Sequence, residues 1–110
     1  MPRAAASADP FQALGNPQRR AIVQLLARGE WSVQQLADHL PISRPAVSRH
    51  LKLLTRAGLV SDEVHGARHV YHLESDGIES VRRYMEDVWG EAAVRFRLFA
   101  ENTRDEPPTR

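Results

Sequence analysis

Arg44, Arg49, Lys52 and Arg56 crowd one short segment, and no acid interrupts the chain between Asp38 and Asp62. Ser43, Pro45 and Ser48 are interleaved with them. These groups suit contact with a polyanion. Guanidinium and ammonium groups hold phosphate, arginine can grip a guanine edge with two hydrogen bonds, and the Pro45 ring and Ala46 methyl can touch a thymine methyl. A second acid-free stretch, from Asp9 to Glu30, carries Arg19, Arg20 and Arg28. Between Glu79 and Arg104 five acids and five arginines balance, as on a solvated helix. The cationic excess therefore lies in the first half of the chain.

Other chemistries are thinly supported. There is no cysteine, which excludes a disulfide, a thiolate metal site and a thiol switch. Five histidines remain. His69 and His72 stand an odd number of positions apart on a β-prone run, so they point to opposite faces. His65 and His69 flank a turn and could meet across it, with no carboxylate fixed beside them. His39 ends a helical segment, where an imidazole meets the negative end of the dipole. His50 sits between Val47 and Leu54 and reads as a packed, hydrogen-bonded residue. No converging ligand set emerges, so neither a metal nor another cofactor is expected. No glycine-rich phosphate loop or G-x-S-x-G turn is present, and Asp38 and His39, adjacent on a helix, point apart. The sequence points away from an enzyme.

The frame that positions the cationic segment is small. The chain has 110 residues, 42% apolar and 26% charged, with 15 basic against 14 acidic side chains. That is one globular domain, expected over residues 9–103, between a disordered arm (1–8) and a disordered tail (104–110). No apolar run approaches the ~18 residues of a membrane span, and the N-terminus lacks the apolar core of a signal peptide, so a cytoplasmic protein without membrane contact is expected. A net charge of +1 excludes polyanion binding by bulk charge but leaves room for a local basic face.

Asp9-Pro10 can open a short helix through Leu14, closed at Gly15. Asn16-Pro17 is a cap followed by proline at the first helical position, opening a helix to about Arg28. Ser32 caps a third helix, with Val33, Leu36, Ala37 and Leu40 on one face and Pro41 as its stop. Ser43 caps a fourth, running to Ala57 and stopped by Gly58. Its inner face is Val47, Leu51 and Leu54. That leaves Arg44, Pro45, Ser48, Arg49 and Lys52 outward, close to the positive end of the helix dipole. LVSDEV and RHVYHL then alternate like strands around His65-Gly66-Ala67, a hairpin signal. Asp76 caps a long helix from Gly77 to about Asn102. Two helices joined by a tight turn, then a hairpin, predict a mainly α fold with a small β-hairpin wing (α+β), a winged helix-turn-helix. The hairpin tip, His65 to His69, can reach the neighbouring phosphates or the minor groove through Arg68.

The pieces LGNPQRRAIVQLL, LPISRPAVSRHLKLLTRAGLV and the wing G-x-R-x-V-Y stand in the order and spacing of a known family. Residues 9–103 resemble the ArsR/SmtB family of bacterial winged helix-turn-helix regulators. The resemblance implies a homodimer that binds a two-fold symmetric operator in double-stranded DNA, usually as a repressor, with Ser43, Arg44, Pro45, Ser48 and Arg49 facing DNA. It also marks departures. The family's thiolate site is a Cys-x-Cys on the third helix, where this chain has Ser32 and Gln34. A second family site uses Asp and His on the last helix, which here has no His.

Dimerisation has a physical argument of its own. A 26-residue helix is about 39 Å long, longer than a domain of this size is wide. Its apolar stripe of Ile78, Val81, Met85, Val88 and Ala92, widened by Trp89, Phe96 and Phe99, needs a cover beyond its own domain. A second copy supplies one, with Phe11 and Leu14 of the first helix beside it. An inducing signal could be a small apolar molecule near Trp89 and Phe96 or a separate sensor protein; occupancy could also follow abundance alone. Two alternatives stand beside this reading. One is a winged-helix protein-interaction module, whose outer helix face would carry acids or large apolar residues. The other is an activator controlled by a separate sensor.

Overall fold

The computed structural model describes residues 8–105, with side chains through Glu101. The expectations for residues 1–7 and 106–110 lie outside the described residues. Three capping predictions carry over directly. Asp9 accepts from the Phe11 amide at 2.9 Å and opens α1 (Pro10–Ala13). Asn16 accepts from the Gln18 and Arg19 amides at 2.9 and 3.1 Å and opens α2 (Pro17–Leu26). Ser43 accepts from the Ala46 amide at 3.3 Å and opens α4 (Arg44–Arg56). The fourth helix start, α3 (Val33–His39), is stronger than expected. Ser32 and Gln35 form a reciprocal capping box that satisfies two amides at once.

Inside α4, Val47, Leu51 and Leu54 are buried together with Ile22 and Leu26 of α2 and Leu36 of α3. Each such side chain contributes roughly 1.5–3 kcal/mol through removal from water. This core fixes the rotation of α4 about its axis, and so decides which residues look outward.

β1 (Val60–His65) pairs antiparallel with β2 (Arg68–Leu73) in a register running from Val60↔Leu73 to His65↔Arg68. The connection is shorter than predicted. His65 joins the ladder, leaving Gly66-Ala67 as the turn, with Gly66 at φ 64°. A two-residue hairpin needs a positive φ, which glycine adopts without strain. One feature lay outside the sequence reading: Trp31 and Tyr71 exchange backbone hydrogen bonds at 3.1 and 2.8 Å, adding a single-residue third rung to the wing.

The next helix starts earlier than predicted. α5 spans Ser75–Tyr84, so Asp76 lies in its first turn instead of capping it. Gly77 is buried against the end of α4, and its amide donates to the Gly58 carbonyl at 2.8 Å. The chain divides into two compact units, one up to Ser80 and one from Val81 onward. In the second, the expected continuous α-helix is interrupted. Met85–Gly90 is π-helical, and α6 then runs Glu91–Asp105, past the predicted end. A π turn inserts roughly one extra residue. The 3-4 stripe slips accordingly, and Trp89 takes the place in line after Met85 that an unbroken helix would give Val88.

Candidate nucleic-acid interface

Ser43, Arg44, Pro45, Ser48, Arg49 and Lys52 are all exposed, on the side of α4 opposite Val47, Leu51 and Leu54. The outward basic face read from the sequence therefore exists as a surface. Among the described residues, none of Arg44, Arg49 and Lys52 pairs with a carboxylate. Their charge stays available, near a helix N-terminus that adds partial positive charge.

The other acid-free stretch does something different. Arg19 Nε donates to the Ala13 carbonyl at 2.6 Å and Arg20 Nη1 to the Leu14 carbonyl at 2.7 Å. Both arginines close the C-terminal end of α1, a capping role that a charge count cannot separate from polyanion binding. Arg19 Nη1 also donates to His50 Nδ1 at 3.4 Å. Burial first, then the nearby Arg19 and Arg49 charges, hold the His50 pKa below its usual value. His50 is thus a half-buried neutral acceptor, the packed histidine expected. His39 Nδ1 donates to the Gln35 carbonyl at 2.9 Å at the end of α3, with Trp31 edge-on to its ring at 4.7 Å.

The wing brings two clefts to α4. One, of about 340 Å³, is lined by Ser48, Lys52, Thr55 and Arg56 of α4 and by Asp62 and Tyr71 of the wing. The other, of about 280 Å³, lies among Ser32, Gln34, Arg44, Arg68 and His69. Arg68 is exposed, and its Nη2 donates to Gln35 Oε1 at 3.1 Å. Burial, and next the Asp62 charge, raise the pKa of the Tyr71 hydroxyl.

The histidines of the wing correct an expectation. His65 and His69 do not face one another, and each has a carboxylate beside it. His65 stands across from Arg68 in the ladder, which places His69 across from Val64 on the opposite face. His69 Nε2 lies 2.6 Å from Asp62 Oδ2. His65 Nε2 lies 3.1 Å from one oxygen of Glu63, and His72 Nε2 2.9 Å from the other. A hydrogen bond to the Leu73 carbonyl, reinforced by Glu63, raises the His72 pKa. Glu30 approaches the same group: oxygens of Glu30 and Glu63 and a nitrogen of His65 lie within 4.8 Å of one another, all on exposed side chains. Carboxylate and imidazole donors of this kind suit a divalent cation in type, but Glu63 is already engaged by two imidazoles.

The residues expected to cover a dimer contact divide by exposure. Leu14 packs on the first unit's core, whereas Phe11 is exposed. In the second unit Val81 and Ala92 are half-buried, and Met85, Val88, Trp89, Phe96 and Phe99 are exposed, the last two at 70% and 73%. Among the described residues no helix is long and apolar enough to cross a membrane.

Comparison with known proteins places this geometry in context. Residues 16–62, which hold α2, both helices of the helix-turn-helix and the start of the wing, match the family model for "bacterial regulatory protein, arsR family". The HTH-type transcriptional regulator Rv2034 of Mycobacterium tuberculosis is 42% identical over 96 residues, covering 87% of this chain and 90% of that protein. The transcriptional repressor SdpR of Bacillus subtilis is 33% identical over 75 residues, covering 68% and 83%. Among solved structures, an ArsR-like transcriptional regulator from Rhodococcus sp. RHA1 superposes with a TM-score of 0.65 at 31% identity, covering 89% of this chain and 91% of that one. With an outward basic helix, a hairpin beside it and relatives matched over most of their length, this chain belongs to the arsR family of bacterial regulatory proteins and is a DNA-binding regulator of transcription.

Proposed function

We propose that the chain acts as a cytoplasmic homodimer that binds a two-fold symmetric operator and represses transcription there, with no catalytic step of its own. One observation carries the reading: the outward face of α4 presents Arg44, Arg49 and Lys52 without carboxylate partners among the described residues. A helix bearing them fits the major groove. Arg49, in the middle of the exposed face, is assigned to a guanine edge, with Ser48 and Pro45 beside it on neighbouring base edges. Ser43, Arg44, Lys52 and, from the wing, Arg68 are assigned to phosphates, which set register without reading sequence.

The dimer follows from the second unit. Phe96 and Phe99 at 70% and 73% exposure, with Met85, Val88 and Trp89 about half exposed, form more apolar surface than a monomer ordinarily leaves in water. Val81 and Ala92 belong to the same contact, and Phe11 and Leu14 of α1 are also assigned to the dimer interface. Pairing also presents two α4 helices to half-sites about 34 Å apart. Repression is the activity named for SdpR.

A footprint on the DNA upstream of the chain's own gene tests the reading, followed by competition with random DNA. Arg49→Ala should lose about 1–3 kcal/mol of discrimination between operator and random DNA. Protection without a symmetric pattern, or an unchanged discrimination ratio, would refute the assignment.

A further inference from the structure

Arg68 stands at the wing turn, across from His65, and its guanidinium is not left to wander. Its Nη2 donates to Gln35 Oε1 at 3.1 Å, across 33 residues of sequence. The same oxygen accepts from the Ser32 amide at 2.9 Å, completing the α3 capping box. A carboxamide oxygen has two lone pairs, and both are used. Gln35 therefore joins the wing tip to the helix-turn-helix by one atom that is itself fixed by a helix cap. On the far side of the link, Arg68 and Arg44 line a single cleft of about 280 Å³ with Gln34 and His69, and no acid lines it. Two arginines from different elements, α4 and β2, thus border one cleft at the margin of the outward face of α4.

We infer that Gln35 is a positioning residue that holds Arg68 beside Arg44, so that the two arginines clamp one backbone phosphate of the bound duplex. The inference rests on the DNA-binding reading above and adds to it a shared phosphate and the residue that prepares it. The physics is preorganisation. A long side chain already placed before binding loses less rotamer freedom when the phosphate arrives. A planar guanidinium held by one N–H keeps its other donors free for phosphate oxygens. The clamp has no preference among sequences, because every nucleotide has the same phosphate.

Salt titrations of fluorescence anisotropy, with an operator duplex and a random duplex, test both parts. Each phosphate neutralised contributes close to one unit to the slope of log affinity against log salt. If Arg44 and Arg68 share a phosphate, the Arg44→Ala/Arg68→Ala double variant should lose about one unit of slope per bound subunit. A loss of about two units would mean separate phosphates and would overturn the clamp. Gln35→Ala should weaken both duplexes by the same factor, a few-fold, and should weaken nothing further in an Arg68→Ala background. Ser32 itself lines the cleft, so the control for lost capping is the Arg68→Ala background, in which Gln35→Ala still breaks the capping box but has no arginine left to position. If the Gln35→Ala loss persists in full without Arg68, Gln35 acts only as a helix cap and the positioning role is wrong. Arg49→Ala separates the levels. Weakening by Arg49→Ala alone rejects this inference and spares the DNA-binding reading, whereas intact binding in every variant rejects both.

Discussion

Asp62 is an acid on the wall of a cleft otherwise lined by Ser48, Lys52, Thr55, Arg56 and Tyr71. A carboxylate facing a polyanion is unfavourable, and at Asp62 the only side chain set against it across the hairpin at hydrogen-bond distance among the described residues is His69, whose Nε2 lies 2.6 Å away. Asp62→Asn should tighten binding to operator and random duplexes alike, several-fold at low salt, with the gain fading as salt rises. Anisotropy at two ionic strengths checks this, and an unchanged or weakened affinity would place Asp62 away from the DNA. Two other histidines set how stability responds to pH. Burial, then Arg19 and Arg49, depress His50, so its contribution is complete above the unfolded value of about 6.5 and is lost as pH falls through the depressed value. His72 has the opposite sign. Its bond to the Leu73 carbonyl and its contact with Glu63 raise it, so that contribution is complete below about 6.5 and is lost as pH rises through the raised value. The two oppose each other in the intact protein. His50→Gln leaves only the His72 response, so on going from pH 7.5 to 5.5 its melting temperature should rise relative to that of the unsubstituted chain. Identical pH responses would remove His50 from the account.

Among the elements, α4 was the most legible, because its signals are local. A serine cap, an early proline, apolar residues at three- and four-residue spacing and a closing glycine all sit within one segment. The orientation of Arg44, Arg49 and Lys52 follows from which side is apolar, so most of the candidate site could be read before any fold was known. What escaped was long-range or lacked a period. A one-residue bridge such as Trp31 to Tyr71 has no alternation to detect. The Arg68–Gln35 contact joins residues 33 apart. The π turn at Met85–Gly90 leaves the apolar and polar types looking like an ordinary helix. Gly77 is a further case: in sequence it weakens a helix start, but in the fold it is required. A Cβ there would lie 2.7 Å from the Ala57 and Gly58 carbonyl oxygens, which are backbone and cannot swing aside. Gly77→Ala, favourable for an isolated helix by roughly 1 kcal/mol, should instead destabilise the protein by about 1–3 kcal/mol through overpacking. Urea unfolding measures it. A neutral or stabilising result would mean that α5 does not seat on the end of α4 as described.

For the whole molecule the decisive quantity is how much apolar surface the second unit leaves for a partner. An unbroken helix would carry the stripe through Val81, Met85, Val88 and Ala92. The extra residue of the π turn shifts it, bringing Trp89 into line behind Met85 and turning Val88 toward the flank. Trp89 is half exposed, and a tryptophan can bury on the order of 200 Å² against a partner. Large aromatic residues near the middle of a contact commonly cost 2 kcal/mol or more when truncated. Trp89→Ala should therefore shift sedimentation equilibrium toward monomer more strongly than Val88→Ala. A charged Val88→Asp should also shift it, since even a flanking position in a dry contact resists a carboxylate. Neither tryptophan nor valine is buried in the single chain, so melting of the monomeric variants should show no loss of core packing. Operator affinity should fall with dimer population, because one α4 meets one half-site and contacts only half the phosphates. The order of the two alanine variants separates the shifted stripe from the simple one: equal effects, or a larger effect at Val88, would mean that the contact follows an unbroken helix. A dimer untouched by all three substitutions would place the contact elsewhere on the chain.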